Sequence, residues 1–244
     1  MQRAVAAAAA LLLAALSVLV TQQTTTTQLR CKPAAEIWII RHGEKAANAS
    51  RTLDLDLSPA GVDRAKNLER LVTSGEWPRF RAVYATSPSA PPFVRREYET
   101  VAPLAQALGV QINVSFGAFE TEALAADAMR TARSLAAADD CRSPAVLIAW
   151  EHCRIPKLRR ALGCDTGRCR ACWSDLDYDS VDRFRVFAAD DGVDVLPPTS
   201  EGFGGGETTD SPTPCASTRR ARSRASTACR PTRRRVDGVI GAKL

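Results

Sequence analysis

The chain has 244 residues, 45% of them hydrophobic and 25% charged, with a formal net charge of +6. That ordinary apolar fraction excludes wholesale disorder and a multi-span membrane protein, and with two atypical ends set aside about 170 residues remain, the size of one domain. The charge is uneven: residues 201–244 hold nine basic and four acidic residues, a surplus of +5, which leaves +1 for residues 1–200.

The N-terminus comes first. Arg3 precedes a run from Ala4 to Val20 broken only by Ser17, the shape of a secretory signal. The run is close to the shortest membrane span, so a retained anchor stays open, and an organelle transit peptide is a third reading. Its alanine-rich makeup is weakly hydrophobic for a permanent span. Residues 1–27 are therefore expected to be a targeting segment. The expected location is the secretory pathway or outside the cell, with membrane contact only where the segment stays uncleaved.

Next, "AEIWII" (35–40) is rich in β-formers and runs into Arg41-His42-Gly43, a buried strand ending in a turn. In "LSPAGVDRAKNLERLVTSG" Ser58 suits an N-cap and Pro59 a first turn, while Ala65, Leu68 and Val72 share one helical face before Gly75. "RAVYATS" reads as a second strand. A Pro-rich passage then leads to a helix lined by Val101, Leu104, Ala105 and Leu108 and closed by Gly109. "VQINVSF" (110–116) alternates like a half-covered strand. Residues 120–138 are helix formers, "AVLIAW" (145–150) is a strand buried on both faces ahead of His152, "IPKLRRALG" is a short helix, and "RFRVFAA" a last strand. Strands and helices alternating at this spacing predict an α/β fold, a three-layer α/β/α sandwich around a mostly parallel sheet. In such sheets reactive groups gather beyond the carboxyl ends of the strands. The only two histidines, His42 and His152, both hold that position.

Eight cysteines suit disulfides if the chain is secreted. Cys164, Cys169 and Cys172 have a C-x4-C-x2-C spacing that metal sites can use, but a fourth ligand would have to come from the distant tail, so no metal is expected. Asn48 and Asn113 head glycosylation sequons in form. Beyond Thr199 the composition turns to Gly, Ser, Thr, Pro and Arg, too poor in apolar residues to repay ordering. "GFGGGE" lacks the Gly-Lys-Ser/Thr of a phosphate loop and reads as a linker. Residues 28–203 are taken as the domain and 204–244 as a disordered basic tail with no specific nucleic-acid partner.

An imidazole with a free ring nitrogen is a nucleophile, and a neighbouring guanidinium draws in phosphate and neutralises its charge. Arg41-His42 supplies both groups, and Gly43 lets backbone approach closely. Four pieces of sequence occur in order: "RHGEK", "LSPAG", "VYATSPSA" followed by "RREYET", and "VLIAWEHCRIP", with "WSDLDYDSVDRF" closing the domain. With these the chain resembles the histidine phosphatase superfamily, the phosphoglycerate mutase-like or histidine acid phosphatase group, over about residues 35–203.

The resemblance implies a phosphoglycerate mutase-like fold and a covalent phosphohistidine on His42. It implies phosphate binding by Arg41 and by Arg96, which stands four residues before Thr100, and a hydrogen bond to phosphate from His152, which as imidazolium would add charge. Without it, Arg96 would read as a surface helix residue and His152 as a core histidine. Family members differ in the acid that protonates the leaving group. Here Glu120, Glu122 and Glu151 are the candidates, with Glu120 preferred. Cys153 follows the second histidine where the acid phosphatase and phytase branch has Asp and mutases have Gly, so hydrolysis is preferred over mutase chemistry. The expected partner is a small phosphorylated substrate, with no cofactor. A phosphotransferase and an inactive phospho-ligand-binding module are the alternatives.

Overall fold

A computed structural model describes residues 32–45, 56–138, 142–164, 169, 172–188 and 192–199. The targeting segment, the Asn48 sequon, Cys31, Cys141, Cys215, Cys229 and the basic tail lie outside them. Strand β1, Ala34–Arg41, is buried along its whole length. Its alternating side chains feed two separate cores, Ile37 and Ile39 on one side and Trp38 and Ile40 on the other. This two-faced burial is why its sequence reads as a continuous apolar run.

Helix α1, Pro59–Thr73, starts where expected: the Ser58 hydroxyl accepts from the Gly61 amide at 3.1 Å and Pro59 occupies the first turn. Strand β2, Phe80–Ala85, leads to helix α2, Arg96–Leu108, which ends on Gly109 in the left-handed conformation. Leu68, Leu71 and Val72 of α1 join Val101, Leu104 and Leu108 of α2 against the Trp38 face of the sheet. Helix α3, Thr121–Ala138, lays Ala125, Ala128, Ala132 and Ala136 on the opposite face, where small side chains let the helix sit close to the strands. Strand β4, Ala145–Trp150, is wholly buried, and the short helix α4, Ile155–Ala161, packs beside α3. The expected α/β/α layering is therefore present.

With β3 at Ile112–Asn113, β5 at Val181–Phe187 and β6 at Val193–Thr199, the sheet has six strands in the order β3-β2-β4-β1-β5-β6. Strands β3, β2, β4 and β1 are parallel neighbours, and β5, Val181–Phe187, runs antiparallel to β1. Two strand expectations need correcting. The strand expected over 110–116 is only Ile112–Asn113, because the Asn113 Oδ1 accepts from the Ser115 amide at 3.0 Å and turns the chain off the ladder. A sixth strand, Val193–Thr199, was not anticipated; it pairs only with β5, and an edge strand tolerates its Pro197-Pro198. Among the described residues no helix is long and apolar enough to cross a membrane.

The register of β1 on β4 sets the Arg41 Cα opposite Trp150. His42 and His152 therefore leave the sheet from adjacent parallel strands. The chain after β1 turns to α1 on one face and the chain after β4 to α4 on the other, which opens a crevice between the two strand ends.

Candidate active site

The turn after β1 is shaped by close backbone packing. A Cβ on Gly43 would meet the Gly61 carbonyl oxygen at 2.9 Å, and one on Gly61 would meet backbone atoms of Glu44, so both positions require glycine. The Gly43 amide donates to Thr100 Oγ1 at 2.8 Å, and that hydroxyl donates in turn to the Arg96 carbonyl at 2.7 Å. The Ser58 amide donates to the Glu44 carbonyl, and the Leu57 amide to Glu99 Oε2 at 2.9 Å. The "LSPAG" and "RREYET" pieces thus clamp the turn that carries His42.

His42 is 2% exposed, and its Nδ1 lies 2.6 Å from the Gly43 carbonyl oxygen. A carbonyl only accepts, so Nδ1 carries the proton and Nε2 keeps its lone pair. Burial first, then the nearby Arg96, holds the ring well below the ordinary histidine value, so it stays neutral and nucleophilic. The His152 ring centroid lies 6.4 Å away, nearly perpendicular, a spacing that lets both rings reach one tetrahedral anion.

His152 Nε2 lies 2.8 Å from Asp175 Oδ1, while its buried Nδ1 has no hydrogen-bond partner among the described residues. Burial and Arg41 push His152 down to about 4 despite Asp175, so the resting ring is neutral and not the imidazolium the sequence suggested.

Arg41 Nη1 donates to the carbonyls of Ser174, Asp175 and Asp177, Nη2 donates to the Tyr178 hydroxyl, and the guanidinium lies 3.8 Å from the Tyr178 ring centroid. Its charge borders His42, but most of its donors hold the closing segment. Arg64 pins the same segment from α1, pairing with Glu44 and Asp179. Arg95 pairs at the surface with Asp56 and Glu99, whereas Arg96 acts electrostatically on His42, Glu97 and Glu151.

Residues 37–142 match the sequence model of the histidine phosphatase superfamily (branch 1). They belong to that superfamily. The span includes Arg41, His42, Arg96 and Glu120 and stops short of His152, which reaches the site through the pairing of β4 with β1.

Among solved structures, the protein histidine phosphatase SixA complexed with tungstate is 14% identical with a TM-score of 0.47, covering 67% of this chain and 95% of its own. A mycobacterial glucosyl-3-phosphoglycerate phosphatase is 17% identical with a TM-score of 0.46, covering 62% and 90% respectively. A comparison with curated proteins found no match.

Glu120 is exposed at the start of α3, with its carboxylate accepting from the Gly117 amide at 2.7 Å, and its described contacts do not include either histidine. Glu122 pairs with Lys157 at the surface. Glu151 is partly buried, and that burial raises its carboxyl above the ordinary value.

Sequence reasoning passed over Tyr178 and Asp175, and also Glu97, whose carboxyl is 4.0 Å from His42 Nε2. Glu97 follows Arg96 directly, and only its place on the inner face of α2 separates it from the surface Glu99. Cys164 and Cys169 form a disulfide, and Cys153 and Cys172 are also disulfide-bonded, so the C-x4-C-x2-C run offers no thiolates. Among the described residues no metal-holding cluster occurs.

Proposed function

We propose that the chain is a phosphatase that hydrolyses small phosphate monoesters through a phosphohistidine on His42. One observation carries the reading: Nε2 of a buried, neutral His42 is left unprotonated beside two guanidinium groups, with a second imidazole 6.4 Å away between centroids. The Nε2 lone pair attacks phosphorus, the bond from phosphorus to the leaving oxygen breaks, and that oxygen takes a proton from a carboxyl, for which Glu120 is the candidate donor. Water then attacks the phosphohistidine, releasing inorganic phosphate and restoring the imidazole. Arg96, Arg41 and the superfamily's second histidine, His152, meet the charge on the transferring group.

His152 borders the transferring group as a neutral ring, with Asp175 at its Nε2. The chemistry needs no metal or organic cofactor.

His42→Ala is expected to abolish release of phosphate from a generic aryl phosphate while the far-ultraviolet circular dichroism stays native. Acid quench of the wild type with labelled substrate should trap an acid-labile phosphoenzyme. Undiminished turnover in the variant rejects the reading. Transfer of the phosphoryl group to a second hydroxyl, in place of free phosphate, identifies a mutase-like phosphotransferase.

A further inference from the structure

Glu97 is an unexpected group to find in a pocket for anions. It sits in the first turn of α2, 1% exposed, with Oε1 4.0 Å from His42 Nε2 and Oε2 without a hydrogen-bond partner among the described residues. A phosphoryl group carried on Nε2 spreads its non-bridging oxygens toward this carboxyl, and at that separation one of them falls within hydrogen-bond reach. An ionised carboxylate would repel that oxygen; a neutral one donates to it.

We propose that Glu97 is a catalytic residue whose protonated carboxyl donates a hydrogen bond to the phosphoryl group at His42, and whose ionisation shuts the pocket to tetrahedral dianions. The proposal rests on the reading of this pocket as a phosphate site.

The surroundings favour the neutral form. Burial pushes Glu97 up to about 7, and Glu151 at the end of β4 adds to the rise; Arg96 on the same helix and Arg41 at the end of β1 oppose it. His42 faces it from β1, with the His152 ring beyond. Both imidazoles lie below their ordinary values, so neither changes charge near neutral pH. Glu151 is also raised and needs its own control.

The test is calorimetric titration of the full chain with sulfate, a tetrahedral dianion that neither titrates in this range nor turns over. Between pH 6 and pH 8 the wild-type affinity is expected to fall about 10-fold, as the fraction of protein carrying the Glu97 proton falls. In Glu97→Gln, which keeps shape and a donor but cannot ionise, affinity should stay flat across that range. In Glu151→Gln the fall should remain, moved to lower pH.

A flat wild-type profile, or a fall that survives in Glu97→Gln, overturns the role of Glu97 while leaving the phosphate pocket standing. A fall abolished by Glu151→Gln reassigns the group and also overturns it. Failure to bind sulfate at any pH removes the pocket itself, a separate result from the turnover of His42→Ala.

Discussion

At the scale of single residues the pocket works by pairing each polar group with a task. His42 spends one nitrogen on the Gly43 carbonyl and keeps the other for chemistry. Arg41 gives most of its donors to the segment from Ser174 to Tyr178, and the proposed function gives Arg96 the larger share in meeting a phosphoryl group. Arg96→Ala should therefore lower kcat/KM on an aryl phosphate by ~10²–10³. Arg95→Ala, which removes only surface pairs with Asp56 and Glu99, should change it by less than about twofold. Steady-state kinetics on the two variants decides the point, and equal losses would reassign the cation.

At the scale of elements the turn after β1 depends on two helices that bury it. Thr100 ties that turn to α2, and Thr100→Val would leave the buried Gly43 amide without its acceptor, a cost of about 1–3 kcal/mol. Gly61→Ala forces a Cβ to 2.4 Å from the Glu44 carbonyl oxygen, a clash of methyl on backbone that α1 relieves only by shifting. It should cost about 1–3 kcal/mol in urea unfolding and reduce turnover as well. By contrast, Gly75→Ala meets no atom within 4 Å, although its φ of +82° makes the change strained, so it should lower stability without touching turnover.

At the scale of the whole molecule the buried titratable groups make stability depend on pH in opposing directions. Glu97 has a carboxyl raised to about 7 in the fold from 4.5. Between those values the native state binds more protons than the unfolded chain, so stability falls as pH rises and levels off above about pH 7. His152, pushed down to about 4 from 6.5, runs the other way: the unfolded chain binds more protons, and stability rises with pH through that window. The two slopes oppose each other up to pH 6.5, and above it the fall due to Glu97 stands alone. Replacing Glu97 with Gln removes that fall, worth about 3 kcal/mol when complete. The Tm gap between Glu97→Gln and wild type should therefore widen from pH 5 to pH 7.5 by up to roughly 5–10 °C and then stay constant. A gap independent of pH would place the Glu97 carboxyl near its ordinary value.

The sequence by itself determined the layered α/β plan, because apolar runs such as "AEIWII" and "AVLIAW" and the caps at Ser58 and Gly109 are local signals written in neighbouring residues. It also marked His42, Arg41, Arg96 and His152, through short motifs whose order along the chain is itself informative. Only the tertiary structure decided which groups share the pocket. Strand pairing sets β1 against β4, and the inner face of α2 turns Glu97 inward while Glu99 and Arg95 face the surface turn. The electrostatic state of the pocket was equally beyond local reading: burial and Arg41 keep His152 neutral against Asp175, and burial with Glu151 raises Glu97 against Arg96 and Arg41. Burial and the charges of Arg41 on His152 and of Glu151 on Glu97 act through space between residues far apart in the chain, and leave no trace in its local spacing.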